Sequence, residues 1–592
     1  MPYIQQNTPP PNKIMNFSLK NFVGGLNNRS EILEPNQCSD VINMTFADDT
    51  VMEKRKGTTF FDTLLMTSPV VFIDEFKPYA GVDILLRATE SELYLGDTKL
   101  CDLSGQMTGL NFLGKYFFSD GQQIRVYGQF PQETTDYIQI VGTPDPNFRL
   151  MQVVNPPQGY IALGTEHLKG RTIYNYTANQ VWYEPCANEL DDVYKGSSLL
   201  PEKPRYLVSH NGRLFASGSE RDDDTVFIGE IHNPFYFPVA TSMQLPPNSD
   251  RVVGMHVFDG ALVVGRRHDI YAIHGQTNRP GLGVPVFSLQ RVNSHTGWTN
   301  HYAVDIAHNS LFFLGADGNA YALSGANVTD ENIASSILTK TVDLFKAPLD
   351  FTRPDLFMAR TLFKDDKWYM TIKDKILVYS YRLQAWSIYG NIKARCFYDY
   401  NDVLIWGDDN GRVAMPSEDY LDHGVPFQAF WQSGSFDMDE ANSYKQFREF
   451  FIVAHTFEDF KSDVYVTFEV DYADVKNAAV IANQISIWGK SKFGDRFITR
   501  NINASVPFVI GRRGRNLRFR FTNGFLIEPP VADLNALATY VNPKFDRMVY
   551  VTAEEAYYVF LSGDWVRLEL EDLNQPMRVY QINGEYELRG KR

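Results

Sequence analysis

Five segments between residues 207 and 413 repeat one plan: an apolar strand, a short turn of Asn, Asp or Gly, and a second apolar strand. They are LVSHNGRLFASG (207–218), MHVFDGALVVG (255–265), VDIAHNSLFFLGADGNAYALSG (304–325), RTLFKDDKWYMTI (360–372) and CFYDYNDVLIWGDDNGRV (396–413). Asn, Asp and Gly reach positive φ or bond their own backbone at small cost, as a tight hairpin requires. The turn markers Asn211, Asp259, Asn309, Asp366 and Asn401 lie 48, 50, 57 and 35 residues apart. That spacing scatters around the roughly 40–50 residues of a four-stranded propeller blade. YAGVDILLRATESELYLGD (79–97) and LGKYFFSDGQQIRVYG (113–128) fit the plan more loosely, and GRTIYNYTANQVWYEP (170–185) reads as one further hairpin. A blade cannot bury both faces alone, so the repeats predict a stacked ring of six to eight degenerate blades.

Near Pro426 the texture changes to longer alternating strands: QAFWQSGSFDM (428–438), DVYVTFEVDY (463–472), NQISIWGK (483–490) and NLRFRFTNG (516–524). In the last, Leu517, Phe519 and Phe521 alternate with Arg518 and Arg520, the pattern of a sheet with one wet face. IEPPVADLNALATYVNP (527–543) interrupts the strands as a loop with a short helix, and strands resume at VYVTAEEAYYVFL (549–561) and PMRVYQINGEYELRG (576–590). The expectation is an all-β chain. It has an extended N-terminal arm with a Gly-Gly segment (1–65), a β-propeller (66–425) and a β-sandwich-like C-terminal domain (426–592). With 592 residues the chain can bury more than one core, and 42 Phe and 32 Tyr favour β structure.

The formal charge of −15 argues against a surface that grips nucleic-acid phosphates, though not against an acidic wall along which DNA slides. Cys38, Cys101, Cys186 and Cys396 are far apart and form no CxxC pair, so reduced buried thiols are expected rather than disulfides or a zinc site. The N-terminus MPYIQQNTPPPNKIM has no basic region followed by an apolar one, so it reads as an extended arm rather than a secretory signal. No apolar run approaches ~20 residues, so no membrane-spanning helix is expected.

Catalytic and cofactor motifs are wanting. The eleven histidines form no HExxH helix; His295 and His301, in SHTGWTNH, read as surface or turn residues. Asp222, Asp223 and Asp224 lack the alternation and glycine of a calcium loop and read as a hairpin tip, as GDDNGR (407–412) reads as a turn. Gly281-Leu282-Gly283 leads into VPVF rather than a helix, so it is no dinucleotide fingerprint, and neither GxSxG nor a P-loop occurs. No catalytic residue, cofactor or metal is assigned, and a non-enzyme is expected. The one basic concentration is IGRRGRNLRFRF (510–521). Arg512, Arg513 and Arg515 read either as a hairpin turn with the wet face of a strand, or as contacts to DNA phosphates or an acidic partner.

The stretch NFVGGLNNRS…MEKRKG carries a resemblance. Phe22-Val23-Gly24-Gly25-Leu26, then Asn43-Met44, then Lys54-Arg55-Lys56-Gly57 resembles the N-terminus of the tail nozzle proteins of short-tailed phages, the tail tubular protein B or DNA-stabilisation tail protein family. SLFFLGADGNAYALSG (310–325) and the ending PMRVYQINGEYELRGKR (576–592) are similar to the recurring hairpin and basic tail of such chains. KRKG stands where a proline-containing stop is usual, and 527–543 is a second departure.

The resemblance implies a structural virion protein: a tail nozzle or hub subunit in a homo-oligomeric ring, a hexamer. The ring would continue and close the DNA channel below the adaptor, conduct genome ejection, and carry fibres or spikes outside. Genomic DNA would pass through the lumen without specific binding, and the subunit would be assembled in the host cytoplasm. It also implies that Gly24, Gly25 and Leu26 with Lys54, Arg55 and Gly57 form a subunit or adaptor contact. The competing expectation is a carbohydrate-binding or carbohydrate-cleaving propeller, as a tail fibre or a free enzyme.

Overall fold

In the computed structural model the first strand of six hairpins turns into the second through two left-handed residues. The tips are Leu113–Gly114, Asn211–Gly212, Asp259–Gly260, His308–Asn309, Asp365–Asp366 and Asn401–Asp402, all with φ between 48° and 73°. Paired positive φ values give the type I′ turn, whose twist matches that of the flanking strands. This is why Asn, Asp and Gly recur at these positions. The structure describes residues 14–46, 51–78, 81–122, 124–128, 137–140, 160–162, 172–175, 180–183, 203–229, 237, 242–247, 250–275, 287–292, 294, 296–325, 335–439, 441–455, 462–482, 503–524, 526–540, 547–561, 564–568 and 576–589.

These residues are nearly all β, with two short helices, Arg353–Leu356 and Leu534–Ala538, among them. Six four-stranded antiparallel sheets, beginning with strands Phe72–Phe76, Thr108–Phe112, Tyr206–His210, Val252–Phe258, Val304–Ala307 and Arg360–Lys364, are followed by a seventh, six-stranded sheet that begins with Ala394–Tyr400. Their apolar faces meet in sequence. Phe72 and Phe76 of the first sheet meet Tyr116 and Phe118 of the second, and Phe117 of the second meets Leu214 of the third. Phe215 meets Met255, Val263 meets Leu311, and Phe312 meets Trp368. Val378 of the sixth packs with Trp406 of the seventh, and Ile405 of the seventh returns to Ile73 and Leu85 of the first. The architecture is therefore propeller-like, and burial between sheets drives it. A separate three-stranded sheet, Tyr160–Ala162, Thr172–Asn175 and Gln180–Tyr183, contains the hairpin expected at 170–185.

The seventh sheet takes its fourth strand from the other end of the sequence. Thr58–Phe60 pairs antiparallel with Val413–Pro416, joining Phe60 to Ala414 and Thr58 to Pro416. An edge of unpaired N–H and C=O groups is thereby covered.

The C-terminal part forms two larger sheets. One runs Gly25–Leu26, Gln37–Ile42, Ala429–Ser433, Leu517–Asn523, Ser462–Val470, Ala473–Ala482; the other runs Met44–Phe46, Met52–Lys54, Arg578–Arg589, Tyr444–His455, Asn503–Val509. The N-terminal segment, expected as an arm, thus supplies strands to both, and Ile14–Leu19 adds to the edge at Arg578–Arg589. Leu517, Phe519 and Phe521 are buried as their alternation predicts. One apolar cluster runs from Phe22, Leu26 and Val41 through Trp431, Phe521 and Ile582 to Trp368 and Trp386 of the sixth sheet. Segment 527–543 contains the expected helix, Leu534–Ala538, whose first turn is capped by Asp533 accepting the Ala536 N–H at 2.8 Å. It connects the parallel pair Leu526–Val531 and Arg547–Val551. Cys38 and Cys396 are buried free thiols and Cys101 is half-buried; Cys186, His295 and the strand expected at 483–490 lie outside the described residues.

Candidate functional site

Residues of the N-terminal signature meet along the outer strand of the sixth sheet, Ala385–Tyr389. Gly25 has φ of 70°, and a Cβ there would sit 2.7 Å from the Trp386 nitrogen. Only glycine permits both that backbone conformation and that approach. Its neighbour Leu26 is buried, Phe22 meets Trp431 edge-on at 5.2 Å, and the Gly24 N–H donates to the Asn36 carbonyl at 3.0 Å.

The second half of the signature forms a buried polar junction. Arg55 donates through Nε to Asn43 Oδ1 at 2.8 Å, through Nη1 to the Lys56 carbonyl and Asp422 Oδ1, both at 2.9 Å, and through Nη2 to the Gly390 carbonyl at 3.1 Å and Asp422 Oδ2 at 2.6 Å. All five guanidinium donors are used, the condition under which a buried arginine is tolerable. Asn43, at φ of 58°, donates its own N–H to Ile388 and its side-chain amide to Gln428, both at 2.7 Å. Five segments are tied together: 43, 54–57, 388–390, 422 and 427–428.

The Phe427 ring lies 3.9 Å from the Arg55 guanidinium carbon and 4.4 Å from Lys54 Nζ, a shared cation–π contact. Lys54 Nζ donates to Asn523 Oδ1 at 3.1 Å. Burial, reinforced by the Arg55 charge and opposed by Asp422, lowers the Lys54 ammonium to about 7. At Gly57 a Cβ would fall on the Leu421 carbonyl. All six signature residues, Gly24, Gly25, Leu26, Lys54, Arg55 and Gly57, are therefore in contact with other parts of their own chain. The use the fold gives them is an internal joint between the seven-sheet part and the two-sheet part.

The basic segment has the opposite character. Arg512, Arg513 and Arg515 are exposed. The Arg513 and Arg515 guanidinium carbons lie 4.9 and 5.0 Å from the Tyr444 ring centre. Their loop is fixed from beneath: Asp471 Oδ1 accepts the N–H groups of Arg515 and Asn516 at 2.8 and 3.0 Å, and buried Lys445 donates to the Arg515 carbonyl at 2.9 Å. Arg518 and Arg520 are half-buried: Arg518 bonds Ser39 at 2.8 Å, and Arg520 lies over Phe430 at 3.7 Å.

A third grouping, not legible in the sequence, lies where the first strands of the sheets converge. Tyr116 donates to Asp74 at 2.7 Å and Tyr398 to Glu75 at 3.1 Å. Burial raises the Asp74 carboxyl to about 6. His256 and His301 stack at 4.7 Å; His301 lies in a turn, one of the two places expected for it, and is half-buried rather than on the open surface. His301 Nδ1 accepts the Met255 N–H at 3.3 Å, while His256 Nε2 donates to the His301 carbonyl at 2.7 Å. Tyr302 reaches across to donate to the Met107 carbonyl, and Arg360 lies 4.3 Å over its ring. These residues come from sequence positions 74 to 398, and only the packing of sheet against sheet brings them together. The Tyr116, Tyr398, Tyr302 and His256 protons go to internal acceptors, so these residues brace the centre, whereas the buried Arg360 Nε has no partner among the described residues. Asp222, Asp223 and Asp224 form a turn whose carbonyls accept from Thr225, Val252 and Leu245, so their backbone is engaged in local structure. Among the described residues no group of three or more His, Cys, Asp or Glu is placed to hold a metal ion.

No protein-family model matches the chain, and no curated protein matches it. Among solved structures, it is similar to the AfRom2 CNH domain at 9% identity and a TM-score of 0.34, covering 61% of this chain and 99% of that one. It is similar to PorZ, a surface component of the type-IX secretion system of Porphyromonas gingivalis, at 9% identity and a TM-score of 0.30, covering 63% of this chain and 42% of that one. The N-terminal domain of Nup159 aligns at 7% identity and a TM-score of 0.21, covering 68% and 95%. At such scores none of them lends this chain a function. What the chain itself establishes is an all-β, propeller-like body joined to a two-sheet body through its N-terminal signature.

Proposed function

We propose that this chain is a structural subunit of a phage tail, a nozzle or hub protein that assembles with copies of itself into a ring. The ring would sit below the adaptor, carry fibres or spikes, and pass genomic DNA without specific binding. The observation that carries this reading is the junction at Arg55. The residues that resemble the family's signature are the ones that hold the two bodies of the chain in fixed relation. A subunit that must keep its shape while DNA moves past it requires such a joint. The commitment of the central Tyr, Asp and His groups to internal bonds supports a non-catalytic role. The acidic balance of −15 suits a wall that repels DNA.

The test is particle size in solution with negative-stain imaging, together with mass spectrometry of virions. Rings of several times 67.6 kDa are expected. A monomer at every concentration that never enters a particle would overturn the reading.

A second reading, carbohydrate binding or cleavage, is favoured by one observation: Asp74 and Glu75 are adjacent carboxylates, with Asp74 held near 6. Binding on a glycan array, or release of reducing sugar that is lost in Asp74→Asn, would support it over the first.

A further inference from the structure

Two exposed surfaces of this chain are complementary in charge and in apolar character. On the seven-sheet body, the hairpin tips of the fifth, sixth and seventh sheets adjoin. His308 stacks on Tyr381 at 4.5 Å and bonds Asp366 at 2.8 Å, and Lys364 bridges Asp399 and Asp402 at 3.0 and 2.7 Å. Asp365, Asp399 and Asp402 are exposed there, beside the exposed apolar side chains of Ile306, Tyr381 and Val403. Buried Lys364 and exposed Arg382, which pairs with Asp366 at 2.7 Å, only partly offset the charges of Asp365, Asp366, Asp399 and Asp402. The result is a negative face with apolar points.

On the two-sheet body, Arg512, Arg513 and Arg515 flank Tyr444, and Tyr472 stands at the adjoining hairpin tip with 72% of its surface exposed. Tyr472 has φ of 64°, in a tip whose Asp471 holds the arginine loop. Among the described residues none of the three arginines has an ion-pair partner. Three uncompensated cations on a chain of net charge −15, displayed on a fixed loop between aromatic rings, make a surface that seeks an acidic protein face.

We propose that the arginine–tyrosine surface of one copy docks on the acidic tips of the fifth to seventh sheets of a second copy. The two patches are different surfaces of the same molecule, so the contact is head-to-tail, and such contacts build a ring when their rotation closes. This deepens the ring reading above and rests on it. Nucleic acid is the less favoured partner, because the acidity of the rest of the chain repels a polyanion approaching the patch.

The experiment uses the full chain and its charge-reversed forms. Arg512→Glu/Arg513→Glu/Arg515→Glu is the first variant, Asp365→Lys/Asp399→Lys the second, and a third combines both sets. Asp402 is retained to pair Lys364. Sedimentation velocity and native mass spectrometry follow assembly, and circular dichroism verifies folding. The expected result is loss of assembly in each single-set variant, by at least tenfold in the concentration needed, with assembly restored in the combined chain. Wild-type assembly should weaken as salt is raised. If wild type assembles and neither set matters, the docking surfaces are wrong and the ring reading stands. If wild type is monomeric throughout, both fall. If the arginine variant assembles normally but loses binding to a labelled single-stranded oligonucleotide, the patch serves nucleic acid and the proposal is overturned.

Discussion

Arg55 and Asp422 stand 367 positions apart in sequence and meet as a two-pronged ion pair, Nη1 to Oδ1 at 2.9 Å and Nη2 to Oδ2 at 2.6 Å. The pair is buried, and Thr58 Oγ1 adds a 3.2 Å hydrogen bond to Asp422. Removing one partner strands the other charge away from water. Arg55→Met is expected to cost roughly 3–5 kcal/mol, and Asp422→Asn a substantial part of that. The double variant R55M/D422L should cost less than the sum of the single changes. Urea denaturation of the four chains measures the coupling.

Glycines separate close approach from backbone conformation. Gly25 and Gly260 have nearly equal φ, 70° and 73°, but a Cβ at Gly25 meets Trp386 and Ala385, whereas at Gly260 nothing lies within 4 Å. Gly260→Ala should cost only the left-handed penalty, about 1–2 kcal/mol. Gly25→Ala adds a clash against backbone and should cost clearly more. It should also loosen the joint, read as earlier proteolysis between the two bodies.

Acidification should weaken the centre of the seven-sheet body. Burial lowers His256 to about 4 and His301 well below its ordinary value, where the neighbouring His256 and Arg360 also act. The unfolded chain therefore binds protons near pH 6.5 that the folded chain refuses, and stability falls as pH drops from about 6.5 towards 4. For His256 the loss is on the order of 3 kcal/mol. Asp74, raised to about 6, acts in the opposite direction: between about 6 and 4 the folded chain takes up a proton that the unfolded chain does not. His256→Gln should flatten the acid limb of a stability–pH curve, and Asp74→Asn should steepen it.

Lys54 gives the alkaline counterpart. Its folded-state value of about 7 lies below the ordinary ~10.4, so its cost is greatest below pH 7 and is relieved as pH rises to about 10.4. The change is about 1.4 kcal/mol per pH unit within that window. Lys54→Met should therefore gain more stability at pH 6 than at pH 9, as thermal unfolding at the two values would show.

Truncation tests the strand exchange. Removing residues 1–61 takes away Thr58–Phe60 from the seventh sheet and five strands from the two-sheet body. It bares the edge at Val413–Pro416 and uncovers Trp386 and Trp431, so aggregation on size exclusion is expected in place of a soluble seven-sheet core.

Much of this was written locally. Asn211, Asp259, Asn309, Asp366 and Asn401 marked real hairpin tips, because a two-residue turn needs left-handed residues whatever surrounds it. The alternation of Leu517, Phe519 and Phe521 named a buried face in the same way. The Gly-Gly pair announced a close approach, but its partner, Trp386, lies 361 residues onward and has no local signature.

Tertiary structure alone decided the rest. The sequence by itself determined the strands, the turns and the all-β class, since period and turn chemistry act over a few residues. It could not determine that the N-terminal segment joins both bodies, that Arg55 finds Asp422, or that His256 meets His301. Those pairings depend on which apolar faces bury against which, a global free-energy balance that no short stretch of sequence contains.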